Sequence, residues 1–241
     1  MNTPLAGRTL VVTRAADQAP ELIQQLVAWG ATVVALPLSK IKEPADGGAA
    51  LKTALAQAAQ YDWIIATSPN GAQRLANALT GLPTHTRLAA VGPQTARQFT
   101  DAGWPVDFVP QSFVADALVD EFPAGPGRVL WVRAETARPT LADGLQAAGW
   151  QVDEIVAYRN TEVTVQPAAL AAAQSADAVL FTSASSVERY RKLCSKPQPL
   201  VALCMGPVTA AAAQKHGFEA YQADEFSLSG LLDLAQQWAT G

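Results

Sequence analysis

Residues 9–38 read TLVVTRAADQAPELIQQLVAWGATVVALPL. An apolar run stops at Thr13-Arg14, a polar turn follows, and apolar residues then recur at helical spacing. Gly30 closes that pattern and a second apolar run begins. The stretch reads as strand, turn, helix, glycine stop, strand. The same pattern returns at residues 129–158, VLWVRAETARPTLADGLQAAGWQVDEIVAY, where Arg133 precedes Gly149 by the same 16 positions that separate Arg14 from Gly30.

A second pair of segments repeats as well. Ser68 precedes Gly92 by 24 positions, and Ser183 precedes Gly206 by 23. Around those glycines the chain reads AVGPQTA (90–96) and LCMGPVTA (203–210), and Gly103 and Gly217 each follow 11 positions later. The segments SFVADALVDEF (112–122) and FSLSGLLDLA (226–235) then read as matching amphipathic helices. Repeats of this length define an architecture. Strands alternating with helices predict parallel sheets covered on both faces. The runs WIIAT, RLAAV, RVLWV and AVLFT are nearly continuous apolar stretches, as strands buried on both faces require.

Two such halves give a two-lobed α/β protein. Ligands of open parallel sheets bind beyond the carboxyl ends of the strands, where the TR, TSxx and GPxTA turns all fall. Two stretches read as linkers, 39–48 (SKIKEPADGG) and 159–167 (RNTEVTVQP), each after the second strand of a TR unit. If the chain crosses there, lobe one is built from both chain ends and lobe two from the middle. A tandem duplication with a boundary near Gly125 fits the repeat equally well.

The 241 residues are 49% hydrophobic and 16% charged, enough for two small cores. A net charge of −4 argues against a general nucleic-acid binder, which carries a basic stripe. Cys194 and Cys204 match no metal or redox motif and read as buried thiols in a reducing compartment. The opening MNTPLAGRTLVVTR lacks the apolar run of a signal peptide, and no stretch is long and apolar enough to span a bilayer. A soluble cytoplasmic protein is the expectation.

In TSPN, Ser68 suits the N-cap of a helix and Pro69 its first position; in TSAS, Ser183 caps and Ala184 follows. The opening turn of a helix leaves backbone N–H groups without internal partners, so it holds a carboxylate or phosphate well. Pro93 and Pro207 repeat the helix-start logic, with Thr95 and Thr209 in the opening turns. All four turns serve equally well as plain caps. Arg14 and Arg133 occupy one repeated position just past a strand, and Arg138 follows Arg133 by five; guanidinium suits bidentate carboxylate binding. Thr13 reads as a cap for the helix after Arg14, and Glu135 as the ion-pair partner of Arg133.

His85 and His216 do not repeat and read as structural or solvent-facing. No Ser-His-Asp order, metal triad, GxGxxG or Walker loop is present. An enzyme of this design binds, orients and supplies at most one weak acid. Tyr158 is the candidate. It ends the strand EIVAY beside the second linker and would face the cleft between lobes; its counterpart in the first repeat is Ser39. A phenol of pKa about 10 donates a proton without carrying charge at neutral pH. Packing at a hinge is the alternative role.

The combination of VVTR (11–14), GATVVALPL (30–38), DWIIATSPNG (62–71), AVGPQTA (90–96), VDFVP (106–110), VDEIVAYR (152–159), FTSASSV (181–187) and MGPVTA (205–210) resembles the uroporphyrinogen-III synthase family. The match covers nearly the whole chain in the family's order. It implies two flavodoxin-like parallel-sheet lobes from an internal duplication, joined by a two-stranded linker in the crossover arrangement. Lobe one is then 1–38 plus 168–241, lobe two 46–157, and the linker strands 39–45 and 158–167.

The resemblance also implies the reaction. Hydroxymethylbilane, a linear tetrapyrrole, loses its terminal hydroxyl to give an azafulvene. The substituted carbon of ring D attacks, and the resulting spiro intermediate fragments and recloses as uroporphyrinogen III. No cofactor or metal is used. The family's contacts carry over to Thr13, Arg14, Ser68, Pro69, Asn70, Thr95, Tyr158, Ser183, Ala184, Ser185 and Thr209, with Tyr158 the acid. Arg133 and Arg138 join them from the repeat alone. The expected partner is a small polycarboxylate substrate, with no nucleic acid and no membrane. A monomer is expected, with transient contact to the preceding deaminase left open. The rival is a two-lobed binding protein that captures an anionic metabolite without chemistry.

Overall fold

The computed structural model describes residues 3–194, 196 and 198–241. The chain opens with β1 (Thr9–Val12), α1 (Pro20–Ala28), β2 (Thr32–Ala35) and β3 (Ser39–Lys42). Next come α2 (Ala49–Ala56), β4 (Trp63–Ala66), α3 (Pro69–Ala78), β5 (Arg87–Ala90), α4 (Pro93–Thr100) and α5 (Ala115–Glu121). The second copy of the opening motif is β6 (Gly127–Ala134), α6 (Thr140–Ala147) and β7 (Trp150–Glu162). The chain ends with α7 (Pro167–Gln174), β8 (Ala178–Phe181), α8 (Ala184–Leu193), β9 (Val201–Cys204), α9 (Pro207–Lys215), β10 (Glu219–Gln222) and α10 (Leu228–Thr240).

Two compact units result. One comprises the chain up to Lys40 with Thr161–Gly241, the other Ile41–Asn160. The first holds a five-stranded sheet in the order β10-β9-β8-β1-β2, all neighbours parallel. The second holds the order β3-β7-β6-β4-β5, with β7, β6, β4 and β5 parallel. With β6 matched to β1, β7 to β2, β4 to β8 and β5 to β9, both sheets show one spatial order. Beyond β5, Phe108 makes an isolated parallel bridge to Ala89, at the place β10 takes in the other sheet.

Period-2 alternation explains why the strands are apolar throughout. In the second unit Ile64, Ala66, Leu130 and Val132 pack with Leu51, Leu75 and Phe99 of α2, α3 and α4. The intervening Trp63, Ile65, Val129 and Trp131 pack on the other face with Leu118, Leu141 and Leu145 of α5 and α6. In the first unit Leu10, Val12, Leu180 and Leu203 meet Leu22, Leu26 and Leu231, while Val11, Val179, Phe181 and Ala202 meet Val187, Tyr190 and Ala213.

The repeated glycines have a shared cause. Gly30 and Gly149 both have φ +93°, and Gly103 and Gly217 have φ +83° and +82°. Each ends a helix in the left-handed region that residues with a Cβ avoid. Cys194 and Cys204 are free and buried.

Two local expectations are corrected. The strand EIVAY does not end at Tyr158: β7 runs on to Glu162 after a register shift between Arg133 and Ala134. Thr13 does not cap the next helix, because α1 starts only at Pro20 with Ala19 at the N-cap. The Thr13 hydroxyl donates instead to Leu180 O at 2.8 Å, tying β1 to β8 in a fully buried position.

Candidate active site

In the second unit the expected caps form. Ser68, in extended conformation, caps α3 by accepting from Gly71 N–H at 3.1 Å, and Pro69 takes the first position. Gly92 caps α4 with Pro93 at the first position, and Thr95 lies buried in the opening turn. Asn70 is half-buried beside the Ser68 cap. Tyr158 is only 6% exposed, and its hydroxyl donates to Ser68 Oγ at 3.0 Å. The phenol is therefore paired and packs among the α3-side core residues. A Cβ at Gly71 would press on the cap at 3.1 Å from Ser68 Oγ, while meeting the Tyr158 ring at an ordinary 3.9 Å.

In the first unit Ser183 caps α8 by accepting from Ser186 N–H at 3.3 Å, with Ala184 following. Its hydroxyl also lies 3.1 Å from Ser185 Oγ and 3.3 Å from Ser186 Oγ. Gly206 and Pro207 open α9, and Thr209 is buried in its first turn. Each of these four helix starts follows the carboxyl end of a parallel strand.

The two repeated arginines differ. Arg133 Nε lies 2.7 Å from Glu154 Oε2, its guanidinium sits 5.5 Å from the Trp131 ring centroid, and Nη1 donates to Ala134 O and Glu135 O. The ion-pair partner is thus Glu154, and Glu135 contributes only its backbone carbonyl. The reason is reach: Glu154 stands on β7, opposite Trp131 in the strand register. Arg14 is half-buried, and its Nη1 is buried without a hydrogen-bond partner among the described residues; Arg133 Nε likewise lacks hydrogen-bond geometry, its contact with Glu154 being an ion pair by distance. Burial pushes the Arg14 pKa down, partly offset by Glu21 and Asp17. The repeat offset is 133 − 14 = 119, so the counterpart of Glu154 is residue 35, an alanine. The first unit lacks the carboxylate that neutralises the arginine in the second. Arg138 is exposed on the segment after β6.

Several anchoring residues are absent from the sequence-based set. Trp131 donates from Nε1 to Thr67 Oγ1 at 3.1 Å, fixing the residue before the Ser68 cap. Phe113 lies over Gly92, where a Cβ would come within 3.0 Å of it, and Phe226 lies over Gly206 at 3.6 Å. In both repeats that phenylalanine immediately precedes the N-cap of the last helix, a signal legible in SFV and EFS. The histidines have structural contacts: His216 pairs with Glu188 at 2.8 Å, and His85 meets Ala59 O at 3.0 Å. Among the described residues no group of three or more His, Cys, Asp or Glu could hold a metal ion. No described helix is long and apolar enough to cross a membrane.

Parallel sheets whose strand ends carry capped helix starts define an open α/β protein with its helix N-termini gathered at the carboxyl edges of the strands. The profile of the family described as uroporphyrinogen-III synthase HemD matches residues 20–233. A uroporphyrinogen-III synthase from Synechococcus elongatus is 33% identical over 260 aligned residues, covering 98% of this chain and 97% of that protein. The chain belongs to the uroporphyrinogen-III synthase family. Its fold is similar to that of a mutant uroporphyrinogen III synthase from Thermus thermophilus, with a TM-score of 0.72 at 22% identity, covering 97% and 99% of the two chains. The Helicobacter pylori enzyme gives 0.62 at 20% identity, covering 96% and 99%.

Proposed function

We propose that this chain closes hydroxymethylbilane to uroporphyrinogen III with inversion of ring D and loss of water, the lyase reaction of its family. The match to a named synthase along nearly the full length of both proteins carries the reading. The site chemistry agrees with it. The substrate is a polycarboxylate, and each unit offers helix N-termini with an arginine near its strand ends, Arg14 just past β1 and Arg133 still inside β6, contrary to the expected position beyond the strand. Arg14 is the strongest carboxylate ligand, because a buried donor without a partner gains most from an incoming anion. Ser68, Pro69, Asn70 and Thr95 in one unit, and Ser183, Ala184, Ser185 and Thr209 in the other, line the helix starts that receive the remaining carboxylates. Thr13 holds the strand that carries Arg14. Arg138 adds a positive charge to the second unit, whereas the charge of Arg133 is offset by Glu154.

Little covalent chemistry falls to the protein. Closure without inversion proceeds unaided, so the enzyme must fold the substrate until the spiro route is faster. That is catalysis by orientation. A preference of a few kcal/mol suffices, since about 1.4 kcal/mol is tenfold in rate. Tyr158 is the proton source for loss of the terminal hydroxyl. No cofactor enters the scheme, and we place the reaction in the cytoplasm with the protein as a monomer. On this reading the units descend from one duplicated flavodoxin-like half, and 39–45 and 158–167 join them as linker strands. Tyr158→Phe tests the assignment: it slows turnover more than it weakens product binding, and equal losses in both contradict an acid role.

A further inference from the structure

The hydrogen bonds at the start of α3 fix where a proton can leave. Ser68 Oγ accepts from Gly71 N–H at 3.1 Å and from the Tyr158 hydroxyl at 3.0 Å. Both lone pairs are engaged, so the polar group left to Ser68 is its own hydrogen, which has no acceptor among the described residues. Tyr158 is buried and aims its hydrogen at Ser68, whereas Ser68 is half-exposed. The phenol is the stronger acid but is turned inward; the serine is the weaker acid but has the outlet.

We propose that Tyr158 and Ser68 form a two-proton relay, with Ser68 the group that touches the departing hydroxyl; the inference rests on the synthase reading. The C–O bond of the hydroxymethyl group breaks as the Ser68 hydrogen moves to the leaving oxygen. The Tyr158 hydrogen moves in the same step to Ser68 Oγ. Water departs, the pyrrole electron pair moves into the new double bond of the azafulvene cation, and Tyr158 becomes a phenolate. When the macrocycle closes, the ring carbon forming the last bond loses its proton, and the relay run in reverse restores the phenol. The balance is hydroxymethylbilane to uroporphyrinogen plus one water. The first unit lacks the device: Ser183 shares its hydroxyl with Ser185 and Ser186, and the counterpart of Tyr158, 158 − 119 = 39, is Ser39.

The test is single-turnover decay of hydroxymethylbilane, with products separated by isomer. Ser68→Asn keeps a good N-cap but removes the transferable hydroxyl proton, and Ser68→Thr keeps both. Ser68→Asn and Ser68→Ala are expected to slow the step about a hundredfold, and Ser68→Thr to stay within about threefold of the parent. Adding Tyr158→Phe to Ser68→Ala costs less than about twofold more, because both residues serve one transfer. In mixtures of light and heavy water the parent enzyme gives a bowed rate plot, the mark of two protons in flight. A parent-like rate for Ser68→Asn, multiplying losses in the double variant, or a straight plot overturns the relay. Absence of isomer III from the parent protein would instead overturn the synthase reading.

Discussion

Arg133 Nε stands 2.7 Å from Glu154 Oε2, while at the repeat position that corresponds to Glu154 in the unit of Arg14 the chain has Ala35. Arg133 has a carboxylate at ion-pair distance, whereas Arg14 feels Glu21 and Asp17 and keeps Nη1 without a hydrogen-bond partner among the described residues. Removing them should therefore have opposite signatures. Arg14→Ala is expected to raise KM for hydroxymethylbilane about 10- to 100-fold, the worth of a charged hydrogen bond, with little change in melting temperature. Arg133→Ala should leave KM within a fewfold and cost about 1 kcal/mol of stability, since the pair is partly exposed. Steady-state kinetics and urea denaturation of both variants decide it. Equal KM effects would contradict the asymmetry.

The repeated glycines separate strain from crowding. Gly30 and Gly149 share a φ of +93°, so an alanine at either is strained by about 1–2 kcal/mol. At Gly30 the added Cβ would also lie 3.1 Å from Thr3 Cβ and 3.3 Å from Ala6, whereas at Gly149 the nearest atom is Gly125 Cα at 3.9 Å. Gly30→Ala should be the more destabilising of the two by urea denaturation. The reverse order would show that the segment before β1 yields freely.

Burial pushes the Cys204 thiol from its ordinary value of 9.0 up to about 12. Between those values the unfolded chain has lost the proton that the folded chain keeps. Stability therefore falls as pH rises through this window, by at most about 1.4 kcal/mol per pH unit from this thiol. Tyr190, also raised by burial, adds to the same alkaline limb. Urea denaturation from pH 8 to 10.5 should show a shallower decline for Cys204→Ala than for the parent. Identical slopes would exclude the thiol as a source.

How much of this was legible depends on the range of the interaction. The helix starts at Ser68, Gly92, Ser183 and Gly206 are written in four-residue turns, and each forms where its local chemistry directs. The glycine stops are equally local, since one φ angle explains each. Contacts between strands were less legible. Glu154 pairs with Arg133 because β6 and β7 lie side by side, and sequence proximity pointed to Glu135 instead. Thr13 looked like a cap by composition, but its hydroxyl is captured by β8, 167 positions away. The bond from Tyr158 to Ser68 spans 90 positions and has no local signature.

The proposed activity is closure of a linear tetrapyrrole through ring inversion. The most direct measurement generates hydroxymethylbilane in situ, adds the purified protein without cofactor, oxidises the products and separates the isomers by chromatography. Mostly isomer III is expected, with isomer I rising in the Tyr158→Phe and Arg14→Ala variants. Isomer I alone from the parent protein, the product of unaided closure, would contradict it.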